Sequence, residues 1–214
     1  MFRMGIAERK EKQKIEIRKS ILDASMQLFV KEGFENVSIR RIAEIIEYSP
    51  TTIYLYFKDK DEIFFHLHEM GFQKLLELNK NLDEIHNPLL RLHKMGENYI
   101  QFGIENPEYY DLMFIQKEPM QKLTEMGCDW KNGDAALTRL KNTLIECMDK
   151  GYIAKTDPTV LSLSIWSTVH GLVSLATRER LEKLVPDKEM ILPVVMQSLN
   201  WLINTLDISG KSPE

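Results

Sequence analysis

The apolar positions of this chain recur at helical spacing along most of its length, and strand-type alternation is scarce. Ile17, Ile21, Ala24 and Leu28 fall at steps of four, three and four, with Leu22 and Phe29 beside them and a glycine stop at Gly33. This pattern predicts one amphipathic helix from about Lys14 to Glu32. Ser38 stands as an N-cap before Ile39, Ile42, Ala43 and Ile46, a two-turn helix with Arg40, Arg41 and Glu44 on its outer face. Glu47 and Tyr48 form a break, and Ser49-Pro50 is a second start signal, because serine caps free amides and proline is tolerated in the first turn. A short third helix is expected from Pro50 to about Phe57.

The periodicity resumes with Ile63, Phe64, Leu67, Gly71, Leu75 and Leu78 and ends in Asn79-Lys-Asn81. Pro88, Pro107, Pro119, Pro158, Pro186 and Pro193 fall mostly where a helix would begin and divide the rest into about five helices. The expected fold is therefore all-α. It comprises a three-helix domain over residues 1–58 and a larger helical domain over residues 59–214, joined through the fourth helix.

Two late helices differ from the others. Between Pro158 and Thr177 one stripe is apolar (Leu161, Ile165, Val169, Leu172, Ala176) and a second is small (Ser164, Ser167, Gly171, Ser174). A helix apolar or small on both sides must be covered on both. The last helix carries Val195, Leu199, Leu202 and Leu206 in a row, so a homodimer through these two helices is expected, the alternative being one larger core.

Composition narrows the class. Hydrophobic residues make up 43% and charged residues 28%, which excludes collagen-like, low-complexity and wholly disordered readings. No apolar run approaches the ~18 residues of a membrane span and the first residues lack a signal-peptide stretch, so a soluble, cytoplasmic protein is expected. The net charge of -4 is uneven. Residues 1–60 hold 12 Lys+Arg against 9 Asp+Glu, and the remainder 16 against 23. A basic end on an acidic body suits a protein that offers that end to phosphate, with Arg9, Lys10, Lys12, Lys14, Arg18 and Lys19 supplying salt-sensitive attraction.

Helices two and three have the spacing of a helix-turn-helix. On a helical wheel Ile53 and Phe57 point inward, Thr51 and Leu55 outward, and Thr52, Tyr54 and Tyr56 lie on the flanks. An outward set without Lys, Arg or Asp suits thymine-methyl packing by Leu55 and Thr51, with hydrogen bonds from Thr52 and the tyrosines.

The segments Ser38-Ile-Arg-Arg-Ile-Ala43 and Ser49-Pro-Thr-Thr-Ile-Tyr-Leu-Tyr-Phe-Lys-Asp-Lys-Asp-Glu-Ile63 resemble the DNA-binding domain of the tetracycline-repressor (TetR) family over about 50 residues, Ile15 to Phe64. The resemblance implies a dimer that places its third helix in the major groove of a palindromic operator, usually repressing, and lets go when a small molecule enters the C-terminal domain. It assigns Tyr54 and Tyr56 to the groove face and backbone, Lys60 to a phosphate, and Ser38 with Arg40 to the helix-two N-terminus. Two departures stand out: Glu47 occupies a position that commonly takes glycine, costing ~1 kcal/mol if its backbone is left-handed, and Pro50 replaces a common lysine.

In the second domain, Asn106-Pro-Glu-Tyr-Tyr-Asp-Leu-Met-Phe114 and Trp166-x-x-x-His170-Gly171 resemble segments of one subgroup of these regulators. Trp166 and His170 share a helix face and could line a cavity with Tyr99, Phe102, Tyr110, Met113, Phe114 and Met148, a lining suited to an apolar effector. The alternative for each is plain core.

No metal site, cofactor or catalytic cluster is expected. His66 and His68 point to different helix faces, His86 and His93 have no nearby carboxylate pair, and neither a phosphate-cradling glycine loop nor a Gly-x-Ser-x-Gly elbow occurs. Cys128 and Cys147 are read as inert thiols. The expected function is a ligand-responsive DNA-binding repressor and not an enzyme. The rivals are a DNA-binding dimer without a small effector and an all-helical enzyme.

Overall fold

The computed structural model describes residues 5–127 and 129–210; among them are ten α-helices, four short 3-10 turns and no strand. The helices are α1 (Ile6–Glu32), α2 (Ile39–Ile45), α3 (Pro50–Tyr54), α4 (Lys60–Leu78), α5 (Pro88–Glu105), α6 (Pro107–Phe114), α7 (Glu118–Met126), α8 (Lys131–Asp149), α9 (Pro158–Thr177) and α10 (Ile191–Leu206). The chain is all-α, as its periodicity predicts.

Local chemistry accounts for most boundaries. Ser38, Ser49, Asn87 and Asp157 each accept backbone N–H groups at the start of α2, α3, α5 and α9, and proline occupies the first turn of the last three. Two boundaries differ from expectation. α1 begins at Ile6, eight residues before the predicted start, because the Glu, Lys, Arg and Gln residues there are good helix formers; the Gly5 amide is held by the Glu8 carboxylate at 2.8 Å. α3 stops at Tyr54 and not at Phe57, since the next start signal, Asp59 accepting from the Glu62 amide at 2.8 Å, follows at once.

The chain forms two compact units, and they do not divide at residue 58. One comprises Met1–Gly71 and Asp111–Asp129; the other comprises Phe72–Tyr110 and Trp130–Glu214. The first has a core of Ile21, Leu28, Phe34, Ile42, Ile53 and Phe64, with Leu112 of α6 buried in the same cluster. Phe64 receives Phe34 and Phe29 edge-on at 4.7 and 5.7 Å. The buried Lys122 of α7 pairs with Asp59 at 2.6 Å in this unit. His68, also fully buried, stacks on Phe65 and lies 3.5 Å from Glu69.

In the second unit α5 is central, packing on α8, α9 and α10. Ile100, Phe102, Leu144, Cys147, Val173, Val195 and Leu199 are buried there. Burial pushes the Cys147 thiol up to about 11, which makes it inert; Cys128 lies outside the described residues. Gly103 marks the closest approach of α5 to α9, for a Cβ there would lie 2.4 Å from a Val173 methyl.

α9 corrects one expectation. It is long and apolar enough to cross a membrane by length and composition, with a mean hydropathy of 1.4, because serines and threonines break the apolar run without adding charge. Ser162, Ile165, Val169 and Val173 bury one of its stripes, while Val160, Leu163, Ser164, Ser167 and Thr168 are exposed on the other.

Two stability effects follow. Burial holds the His68 imidazole at a pKa of about 4, below the ~6.5 of an unfolded chain, so acidification adds a proton to the unfolded state first. Stability is expected to be complete above pH ~6.5 and to fall by up to about 3 kcal/mol as pH drops towards 4. In His68→Leu, denaturant melts across that range should show a shallower pH slope. Gly103→Ala should destabilise by about 1–3 kcal/mol through overpacking against Val173, read as a lowered denaturant midpoint.

Candidate nucleic-acid interface and effector site

The turn between α2 and α3 is built by backbone hydrogen bonds. The Tyr48 amide donates to the Ala43 carbonyl at 3.0 Å and the Glu47 amide to that of Glu44 at 3.4 Å, a Schellman closure that requires a left-handed residue at Glu47. Glu47 has φ of 58°, so the strain anticipated at this non-glycine position is present. Ser49 Oγ then accepts from the Thr52 amide at 3.1 Å and lies 3.0 Å from the Thr52 hydroxyl, which fixes the start of α3.

Ile53 and Phe57 are buried, and Arg18 lies over the Phe57 ring at 4.9 Å, so the inner side of α3 is anchored. Its outer side is open. Leu55 is 77% exposed and Tyr54 57%, with Thr51 exposed beside them. Of the other expected contact residues, Ser38 and Arg40 are exposed, whereas three are drawn inward. Thr52 is half-buried with its hydroxyl on Ser49, and Tyr56 is half-buried against the core. The Lys60 ammonium donates to the Phe34 carbonyl at 3.1 Å and lies 4.2 Å from the Phe34 ring centroid. Nothing in local spacing signals that contact across 26 residues. Tyr48 and Ile45 are exposed near the same turn and were not among the expected contacts; the Schellman closure at Glu47 is the signal that could have found Tyr48.

The second unit gathers four of the eight expected effector residues. Trp166 and His170 come from α9, Tyr99 from α5 and Tyr110 from α6. The indole N–H donates to the Tyr99 oxygen at 3.2 Å, and the Tyr99 and Tyr110 hydroxyls lie 3.0 and 2.7 Å from His170 Nδ1. Tyr110 also donates to the His170 carbonyl at 2.9 Å, and its ring stacks on the imidazole at 5.1 Å. Burial first, then the positive charge of Arg178, lowers the His170 pKa; burial, then Tyr110, raises the Tyr99 phenol above its usual range. His170 and Tyr99 are therefore neutral at neutral pH, and a ligand would meet them as hydrogen-bonding groups without charge.

The other four are distributed differently. Phe102 is buried one turn beyond Tyr99, and Met113 and Phe114 belong to the other compact unit. Met148, at the end of α8, accepts the Thr156 amide on its sulfur at 3.4 Å. A groove of about 600 Å³ in the second unit carries charged residues in its lining, Asp83, Arg91, Lys131, Asp134, Arg139 and Glu146 among others. Arg91 pairs with Glu146 and Arg139 with Asp83 inside it, so its charges largely neutralise one another.

Two parts of the chain match known protein families. Residues 21–67 match the family described as bacterial regulatory proteins, tetR family, and residues 92–199 match the tetracyclin repressor-like C-terminal domain. A helix-turn-helix transcriptional regulator of Staphylococcus aureus is 27% identical over 144 residues, covering 63% of this chain and 78% of its own. The regulator YobS of Bacillus subtilis is 23% identical over 195 residues, 91% of this chain and 95% of its own. Among solved structures, the fatty acid degradation regulator FadR of Bacillus halodurans superposes with a TM-score of 0.66 at 19% identity, covering 85% of this chain and 93% of that one. PfmR of Thermus thermophilus gives 0.65 at 18%, covering 86% and 97%. With matches to both the DNA-binding head and, over half the chain, the C-terminal region, the protein belongs to the TetR family of DNA-binding transcriptional regulators.

Proposed function

We propose that the chain acts in the cytoplasm as a homodimeric repressor that leaves a palindromic operator when a small, largely apolar effector engages the Tyr99–Tyr110–Trp166–His170 cluster. The observation that carries this reading is the position of α6. This eight-residue helix gives Tyr110 to the effector cluster and, two residues later, gives Leu112 to the buried core of the DNA-binding head. A ligand that takes over the hydrogen bonds of His170 must move Tyr110, and a helix too short to bend passes that movement to Leu112. The effector shifts operator binding only by its differential affinity for the two arrangements.

Thr51, Tyr54 and Leu55 are assigned to base edges, and Ser38 and Arg40 to the phosphate beside the α2 N-terminus, where free amides favour an anion. Lys60 is assigned to phosphate as well, its ammonium having donors beyond the one spent on Phe34. The exposed stripe of α9, with Val160 and Leu163, and Trp201 of α10, 70% exposed, are assigned to the dimer interface. To enter successive major grooves the two α3 helices of such a dimer must lie roughly 34–36 Å apart, one turn of the duplex.

Two outcomes test the reading. Leu163→Glu combined with Trp201→Glu should convert the dimer to a folded monomer in sedimentation analysis and weaken operator binding at least tenfold; a variant that stays dimeric removes these helices from the interface. In a screen of apolar small molecules against the operator complex, a compound that releases wild-type protein should need at least tenfold higher concentration with Tyr110→Phe. Operator affinity without compound should stay within threefold. Equal release of both proteins would detach the cluster from effector sensing, and release by no compound would favour the effector-free rival.

A further inference from the structure

The geometry points to a reader of pyrimidine C5 methyl groups: the ridge of Thr51, Tyr54 and Leu55 recognises thymine and 5-methylcytosine alike in the major groove. The inference rests on the proposed use of α3 as the element that enters the groove.

From Ile42 to Phe57 the chain contains no Lys, Arg, Asn, Gln or His. The side chains that form paired hydrogen bonds to guanine or adenine are therefore missing from the turn and from α3. Glu44 and Glu47 are the charged residues of this stretch, and Glu44 is paired with Arg41 at 3.4 Å. The large exposed side chains of the ridge are instead Leu55, a branched aliphatic residue, and Tyr54, with Ile45 and Tyr48 exposed nearby. Large apolar side chains open to water near the end of a recognition element mark a contact surface. The apolar feature that a base pair offers in the major groove is the methyl at pyrimidine C5.

The polar groups of the ridge reinforce this preference without narrowing it to thymine. The Thr52 hydroxyl is engaged by Ser49 at 3.0 Å, which leaves Thr51 and Tyr54 as the exposed hydroxyls. A hydroxyl both donates and accepts, so it serves the O4 of thymine and the N4 amino group of cytosine equally well. Discrimination then falls on the methyl, and a cytosine that acquires one presents the same shape to Leu55. Burying one methyl is worth ~0.8 kcal/mol, which corresponds to roughly fourfold in affinity per contacted methyl.

The test begins with a binding sequence enriched by the purified protein from a random duplex library at fixed salt. That duplex is resynthesised with single thymine-to-uracil replacements and single cytosine-to-5-methylcytosine replacements, and affinities are read by fluorescence anisotropy. Wild-type protein is expected to lose about fourfold for uracil at one or two positions in each half-site. At the same positions a cytosine should bind more weakly than 5-methylcytosine by a similar factor. Leu55→Ala, an exposed position whose fold is checked by an unchanged melting temperature, should bind the thymine and uracil duplexes equally. Arg40→Ala should weaken both duplexes and keep their ratio. Indifference of the wild-type protein to every C5 methyl would overturn the inference while leaving DNA binding intact. So would an enriched site read through guanine whose preference vanishes in Arg40→Ala. Enrichment of no sequence at all would overturn the groove-entering role of α3 together with the inference.

Discussion

The burial of Phe64 between Phe29 and Phe34 is the constraint on which the DNA-binding head depends. α1 and the two short helices after it would form only a marginal core alone, because a domain of about 60 residues buries only ~60% of the surface its unfolded chain exposes. α4 therefore supplies Ile63, Phe64 and Leu67, and α6 supplies Leu112. With Phe64 in place, Phe34 is fixed, and Phe34 in turn receives the Lys60 ammonium on its carbonyl and its ring. The outer ridge of α3 is as rigid as this inner packing, because Ile53 and Phe57 hold its other side.

The same constraint explains why the compact units do not follow chain order. Since Leu112 belongs to the head, the chain leaves the head along α4, returns to it for Asp111–Asp129 and leaves again. The pair between Asp59 and the buried Lys122 fastens the returning segment to the turn before α4. Tyr110 and Leu112 are thereby committed to different cores on one short helix.

The second unit combines an apolar core with a neutral polar cluster. Tyr99, Tyr110, Trp166 and His170 satisfy one another, so the burial of their polar groups costs little. α9 has two faces for two reasons: Ile165, Val169 and Val173 complete the core, while Val160 and Leu163 stay in water within one chain. A helix of that composition passes a length-and-hydropathy test for a membrane span, although one stripe is internal packing.

What the amino-acid order settled by itself was local. Caps at Ser38 and Ser49, prolines in first turns and apolar steps of three and four act within a few residues, so helix identities, the helix-turn-helix and the left-handed Glu47 could be read from spacing. The clustering of Trp166 with His170 was legible for the same reason, as both lie on one helix face. Tertiary packing decided the rest: Lys60 on Phe34, Leu112 in the head, Met148 held by Thr156 rather than joining the effector cluster, and Tyr110 against His170. Contacts such as Lys60 to Phe34 and Tyr110 to His170 span 26 and 60 residues. A periodic pattern tells which face of a helix is buried but carries no information about which distant helix will cover it.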